Sequence, residues 1–266
     1  MFRRYPRASR ALALSLSFAA LGSGLVLNTA SAQGTGSTTV QIMEHPALGP
    51  ILTNRDGQAL YTWIVDAPGV SNCFDECVTD WPLFEADGDP TGPAELAGRL
   101  GAIDRPDGIR QVTFDDMPLY TYSRDREFAR GDGSIGSGGL WPVAATGAVR
   151  PTVQITRSPA LGYILTDANE MTLYTWDADQ PGTSTCSGSC ASTWIPVVPD
   201  GQFIVGPGLL RVLGSITRDD GSTQATYNGM PLYRFRADLQ PGEARGEGSS
   251  GFGAAWNVAK MVVFQN

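Results

Sequence analysis

Short apolar, strand-like runs, such as Ile51–Thr53 and Ala59–Trp63, are separated by turn sequences along most of the chain. Asp-Gly and Asn-Gly pairs stand between several of these runs, and both residue types tolerate the positive φ of a tight hairpin. The pattern therefore predicts many short β-strands joined by hairpins. Helical periodicity is limited to short pieces near residues 73–78, 93–100 and 186–192.

The strand pattern occurs twice. The chain aligns with itself at an offset of 113 residues, so that Thr39–Ile42 returns as Thr152–Ile155 and Leu60–Trp63 returns as Leu173–Trp176. The register then holds without a gap to Asp125. A long internal repeat of this kind indicates a duplicated structural unit.

The duplication sets the predicted domain organisation. After an N-terminal leader at residues 1–32, we predict a first domain at 33–149 and a second at 150–266, each with about eight short strands. The predicted fold class is all-β, with each domain a small barrel or sandwich. Each domain also contains two weaker half-units. The alternative is therefore a single four-bladed, propeller-like ring of four half-units.

Each half-unit carries a motif of Tyr, an aromatic residue two positions later, and Asp three positions after that. The two rings share one strand face, where large rings usually build core. An Asp that opens a turn can accept hydrogen bonds from amides two or three residues on, and it can also pair with a buried Tyr hydroxyl. We interpret the motif as structural; cation ligands or a ring platform for a ligand are the alternative. The residues are Tyr61, Trp63, Asp66; Tyr120, Tyr122, Asp125; Tyr174, Trp176, Asp179; and Tyr233, Phe235, Asp238, followed by Trp81, Trp141, Trp194 and Trp256.

The first residues have the pattern of an export signal. Four arginines precede an apolar run from Ala11 to Leu27, and Ala30–Ala32 forms an A-x-A cleavage site. We predict a signal peptide cleaved near Ala32 and a periplasmic or extracellular protein, soluble after cleavage. No later run approaches the about 18 apolar residues of a membrane span. No Cys lies near the cleavage site to carry a lipid.

The charge of the chain excludes one class of partner. The formal net charge is −8, and removal of the arginines of the signal makes the mature chain more acidic still. Such a surface repels phosphate backbones, so we expect no nucleic-acid partner.

The cysteines form two C-x-x-x-C pairs at equivalent positions of the repeat, Cys73 with Cys77 and Cys186 with Cys190. Residues four apart in a helical turn lie within disulfide range, and an exported chain with an even Cys count favours two local disulfides. Each disulfide would raise the free energy of unfolding by about 2 kcal/mol, because it restricts the conformations of the unfolded chain. The alternative is copper or redox chemistry, which needs a further ligand such as the single His45. We expect no metal and no cofactor.

Catalytic signatures are missing from the sequence. No G-x-S-x-G, H-E-x-x-H or phosphate-loop pattern occurs, and the glycine runs 131–139 and 246–253 are interpreted as flexible hairpin loops. The pair Asp115 and Asp116 aligns with Asn228 and Gly229, which indicates a turn. We predict a non-catalytic protein with a binding or structural role in the cell envelope. A redox or copper-handling protein and a glycan-binding module are the alternatives, and a cell-envelope protein or a glycan are the candidate partners.

The four motif blocks, with C-x-x-x-C-x-x-x-Trp after the first of each pair, resemble the secreted lipoprotein repeat family with the Y-x4-D motif. Gln224–Tyr233 is especially close to the pattern of that family. The resemblance covers nearly the whole mature chain. It implies a cell-envelope setting and no particular activity. Because a Cys for lipidation is missing here, the lipid anchor is not carried over.

Overall fold

Short antiparallel strands joined by hairpins make up most of the structure. The computed structural model describes residues 38–126, 128–199 and 201–261, so the predicted signal at 1–32 and its cleavage site lie outside the described residues. Those residues contain sixteen strands, two short α-helices and two single-turn 3₁₀ helices. The predicted all-β class is confirmed.

The first repeat holds seven of the described strands. Its α-helix and 3₁₀ helix fall where the sequence showed short helical pieces. The elements are β1 Val40–His45, β2 Gly49–Asn54, α1 Cys77–Asp80, a 3₁₀ helix Ala94–Leu96, β3 Leu100–Asp104, β4 Arg110–Phe114, β5 Met117–Pro118, β6 Ser134–Gly136 and β7 Gly139–Trp141.

The second repeat holds the other nine described strands and repeats the same order of hairpins. Its α-helix again lies just before the Trp that follows the first motif. The elements are β8 Val153–Ser158, β9 Gly162–Asp167, β10 Leu173–Trp176, α2 Ser189–Thr193, β11 Trp194–Pro196, β12 Leu213–Thr217, β13 Thr223–Tyr227, β14 Met230–Pro231, β15 Tyr233–Phe235, a 3₁₀ helix Gly251–Gly253 and β16 Trp256–Val258.

The hairpins have the turn chemistry that the sequence indicated. β4 and β5 are joined by Asp115 and Asp116, with φ of 48° and 64°, and β13 and β14 are joined by Asn228 and Gly229, with φ of 49° and 81°. Two central residues with positive φ are typical of the tight turn that matches strand twist. Asp115 and Asp116 therefore serve the hairpin.

The last strand of each half-unit pairs with the other half-unit of the same repeat. In the second repeat one sheet has the order β11-β15-β10-β16, so β11 from the first half-unit lies beside β15 of the second, and β16 lies beside β10. Single bridges give the first repeat the same order, namely Leu83 with Tyr120, Tyr120 with Tyr61, and Tyr61 with Val143.

This exchange of last strands does not fit the alternative of a ring of four separate blades. Strands of two half-units share one sheet, whereas separate propeller blades do not hydrogen-bond to each other in this way. Among the described residues the strands form several small antiparallel sheets, and none of these closes into a barrel. The half-units of a repeat are therefore interlocked instead of stacked side by side.

The two repeats also contact each other directly. One hydrophobic cluster combines Leu140 of the first repeat with Val153 and Leu209 of the second. Asp132, which is 0% exposed, accepts the backbone N–H of Val143 at 2.8 Å; it also accepts two amides from the second repeat, Gly208 at 2.6 Å and Leu210 at 3.0 Å. The division into domains at residue 149 stays a prediction.

The contact at Asp132 gives a prediction about stability. Asp132→Ala leaves three amides without their acceptor, two of them in the other repeat, and we expect a loss of about 3 kcal/mol in the free energy of unfolding. Urea denaturation followed by tryptophan fluorescence measures it. Glu247→Ala is the matched control, because Glu247 occupies the equivalent position, is exposed, and has a carboxylate that bonds Val258 and Lys260 of its own repeat. Equal losses in the two variants would contradict the assignment.

Candidate functional site

Each motif tyrosine donates its hydroxyl to the motif aspartate of the other half-unit. The reason lies in the backbone: Tyr61 is paired with Tyr120 and Tyr174 with Tyr233 across antiparallel strands, so each ring extends toward the turn that follows its partner. The motif thus works in reciprocal pairs. These are Tyr61–Asp125 at 2.6 Å, Tyr120–Asp66 at 2.6 Å, Tyr174–Asp238 at 2.5 Å, and Tyr233–Asp179.

The second oxygen of each carboxylate is also occupied. It accepts a backbone N–H that lies five to seven residues further along the chain, not two or three as the sequence suggested. The loop after each motif is therefore longer than a simple Asx turn, and the carboxylate ties it down. The contacts are Asp66 with Asn72 (2.7 Å), Asp125 with Arg130 (2.8 Å), Asp179 with Thr185 (2.7 Å) and Asp238 with Arg245 (2.9 Å).

Burial controls the protonation of these groups. Burial raises the pKa of Tyr61, and the hydrogen bond to Asp125 raises it further. The pKa values of the other three motif tyrosines are raised in the same two ways, by burial and by the hydrogen bond to the aspartate that each one contacts. Burial likewise raises the pKa of the Asp66, Asp125 and Asp238 carboxyls, against the opposing effect of the hydrogen bonds that they accept. The phenols therefore hold their protons far more firmly than free tyrosine does.

The other motif ring and the following tryptophans form a four-ring stack in each repeat. In the first repeat the order is Trp63, Trp141, Trp81, Tyr122, with centroid distances of 5.0, 4.1 and 4.5 Å. The second repeat has Trp176, Trp256, Trp194, Phe235, at 5.1, 3.9 and 4.3 Å. All six tryptophans of the chain are buried. Their faces therefore offer no platform for a glycan.

An arginine network that the sequence reasoning missed joins one Tyr–Asp pair of each repeat to its disulfide loop. Tyr120 Oη lies 2.8 Å from Ser71 Oγ, which in turn bonds the buried Arg105. Arg105 also donates to the carbonyl of Cys73 at 2.8 Å and to Gln111 at 3.3 Å. The second repeat has the same contacts, and the signal was present in the sequence. Ser184, Arg218, Gln224 and Cys186 repeat Ser71, Arg105, Gln111 and Cys73 at the 113-residue offset.

The cysteines form the two predicted disulfides. Cys73–Cys77 and Cys186–Cys190 have Cα–Cα distances of 5.4 and 5.3 Å. Their sulfurs are thus paired with each other and are not thiolates. His45 accepts the amides of the following turn through Nδ1, and no group of three or more His, Cys, Asp and Glu suited to a metal ion occurs within residues 38–126, 128–199 and 201–261.

Several cavities lie beside the segment that joins the repeats. A partly open cavity of about 450 Å³ is lined mainly by apolar side chains of both repeats, including Ile64, Met117 and Leu140 of the first and Ile155 and Val205 of the second. A second cavity of about 680 Å³ lies in the second repeat and contains charged groups.

Four segments of the chain match one family model, described as a secreted repeat of unknown function. They are residues 45–85, 101–145, 155–198 and 214–260, one for each half-unit. The chain belongs to this family. The resemblance seen in the sequence is thereby confirmed. No curated protein and no solved structure matches the chain. In the described part of this secreted repeat protein, no helix is long and apolar enough to cross a membrane.

The reciprocal pairs predict which hydroxyls matter for stability. Replacing Tyr61, Tyr120, Tyr174 or Tyr233 singly by Phe keeps the ring but leaves a carboxylate without its donor. We expect each variant to lose about 2 kcal/mol in the free energy of unfolding, as is usual for a hydrogen bond to a charged group. Chemical denaturation measures the loss.

Tyr122→Phe is the matched control for these four variants. The Tyr122 hydroxyl has no hydrogen-bond partner in the described part of the chain, and its equivalent in the second repeat is already Phe235. We expect a change within about 0.5 kcal/mol. A control that loses as much as the motif variants would contradict the role given to the hydroxyls.

The raised phenol pKa values predict sensitivity to alkali. Above about pH 10 the unfolded chain releases tyrosine protons that the folded chain retains, so the free energy of unfolding falls as pH rises, by up to about 1.4 kcal/mol per pH unit for each of the four phenols. Urea midpoints between pH 8 and 11.5 check this, together with tyrosinate absorbance. If all tyrosines ionise near pH 10 while the protein stays folded, the four buried Tyr–Asp hydrogen bonds are refuted.

Proposed function

We propose that this secreted repeat protein is a non-catalytic binding protein of the cell envelope or its surroundings, and that its ligand is a small apolar molecule held in the 450 Å³ cavity between the repeats. The observation that carries the proposal is this cavity, whose wall combines Ile64 and Met117 with Ile155 and Val205. Ligand sites are usually concave, mainly apolar, of this volume, and placed where two structural units meet.

The occupied state of the motif groups supports a non-catalytic role. A general acid or base needs a free position from which to reach a substrate. Each motif carboxylate instead has one oxygen on a tyrosine and the other on a backbone amide, as at Asp66 with Tyr120 and Asn72. These groups are used to hold the frame, which leaves the cavity as the feature suited to recognition.

A few polar groups lie in the wall of the cavity. Thr62, Gln154 and Tyr163 are part of it, as is Asp115, whose carboxylate is paired with Arg99. A small number of polar groups in an apolar pocket is typical of sites that orient a ligand while burying it. The rigid hairpins on both sides support a preformed pocket, because β2, β7 and β8 are tied to neighbours by backbone hydrogen bonds.

The duplication supplies a matched pair of positions for a test. Met117 and Met230 are equivalent in the two repeats and are both partly buried at the start of a two-residue strand, but only Met117 lines the cavity. Met117→Lys brings a charge to the apolar wall. Met230→Lys makes the same change outside it.

We expect the mature protein to bind the neutral fluorescent probe N-phenyl-1-naphthylamine, with affinity reduced about tenfold or more in Met117→Lys and unchanged in Met230→Lys. Fluorescence titration measures affinity, and circular dichroism verifies that both variants are folded. Absence of probe binding, or equal binding by both variants, would refute the assignment of the cavity as the ligand site.

A further inference from the structure

The segment between the repeats forms part of the wall of both the apolar cavity and the 680 Å³ cavity. Pro151 lines the apolar 450 Å³ cavity and also the 680 Å³ cavity, where Arg150 lies next to it. Two further cavities of about 500 and 490 Å³ adjoin them on the same segment, and the first of these shares Ile204 with the apolar cavity and Gln202 with the 680 Å³ cavity. The concave surface is therefore continuous from an apolar region to a charged one.

The charged region is basic, although the chain as a whole is acidic. Three arginines, Arg150, Arg218 and Arg234, line the 680 Å³ cavity together with two aspartates, Asp167 and Asp220. The formal charge of the chain is −8, whereas the charged side chains that line this cavity sum to a positive charge. Ile195 and Val198 add apolar wall beside the charges.

The arginines differ in how far neighbouring carboxylates neutralise them. Arg150 is exposed and forms no ion pair or hydrogen bond with any residue described by the structure. Arg234 lies 3.3 Å from Asp167 and its side chain is 39% exposed. The Arg218 side chain is 6% exposed; its Nε has no hydrogen-bond partner in the described chain but lies 3.7 Å from one oxygen of Asp220, whose other oxygen accepts from Ser222. Arg150 is thus an exposed cation without a partner in the described chain, and Arg234 stays partly accessible beside its carboxylate.

The basic character is specific to the second repeat. At the 113-residue offset, Thr121 replaces Arg234, Glu85 replaces Val198 and Asp89 replaces Gln202. Arg105, the equivalent of Arg218, has its Nε bonded to both oxygens of Asp107, at 3.2 and 3.1 Å. The frame therefore does not require these arginines, since the first repeat folds in the same way without most of them.

We propose that the ligand of this protein is an anionic amphiphile. Its apolar chain lies in the cavity between the repeats, and its carboxylate or phosphate head binds Arg150 and Arg234 across Pro151. The proposal rests on the proposed function and adds the chemical class of the ligand. Arginine suits both head groups, because its planar guanidinium presents paired donors to either oxyanion.

Competition against bound N-phenyl-1-naphthylamine tests the head group with the chain length held constant. The competitors are dodecanoate, dodecyl phosphate and dodecan-1-ol, each kept below its aggregation concentration at pH 7.5 and low salt. We expect the anions to bind about tenfold more tightly than the alcohol, since one charge-assisted contact is of that order. The advantage should shrink in 1 M salt, which screens exposed charges.

Variants separate the two regions of the surface. Arg150→Gln combined with Arg234→Gln should remove the preference for the anions while leaving the affinity for dodecan-1-ol unchanged. Arg236→Gln is the control, because Arg236 is exposed, lies on the same stretch of chain, bonds the carbonyl of Ser192 and does not line either cavity.

The outcomes are distinguishable. Equal binding of the anions and the alcohol to the native protein, with the probe still bound, overturns the anionic head and leaves the apolar cavity standing as the proposed function. A preference that survives in the double variant overturns the assignment to these arginines. Preference for one anion over the other supports the proposal and identifies carboxylate or phosphate as the head. Failure of the probe to bind at all removes the proposed function and this inference together.

Discussion

A phenol hydroxyl buried against a carboxylate from the other half of its repeat holds the secreted repeat together. Tyr61 is fully buried, and its hydroxyl donates to Asp125 while accepting the amide of Gly131. Loss of either partner leaves the other unsatisfied inside the protein, which costs more than the bond itself contributes. The pair therefore specifies one arrangement of the two half-units, because a shifted register would bury both groups without partners.

The ring stacks depend on the same arrangement and also on the absence of side chains nearby. A Cβ on Gly131 would lie 2.9 Å from Cζ of Tyr61 and 3.0 Å from the Trp81 ring, and a Cβ on Gly246 would lie 2.6 Å from the Trp194 ring. These glycines begin the runs that the sequence suggested were flexible loops. They are instead the points at which backbone packs directly against aromatic faces, where only glycine leaves room.

Local features of the fold could be read from the sequence, and long-range ones could not. Turn pairs such as Asn228 and Gly229 fix their hairpins because the required φ values belong to those residue types. The spacing of Cys73 and Cys77 likewise sets a local disulfide. Exchange of the last strands, by contrast, is a choice between equivalent partners, and neither half-unit contains a local signal for it. The hydrogen bond from Tyr61 to Asp125 is equally hard to predict, because 64 residues separate the two partners along the chain. The candidate site was not predictable, because the cavity arises where two repeats meet and its arginines differ between repeats.

The exchange of last strands also limits how such a chain can grow. A solitary half-unit would have a tyrosine without its carboxylate and a final strand without neighbours. A single added half-unit is therefore not expected to fold stably. Tandem duplication or deletion of the gene can therefore succeed only in steps of two half-units. The 113-residue period of this chain is such a step, and members of the family with longer or shorter chains should carry the block in even numbers.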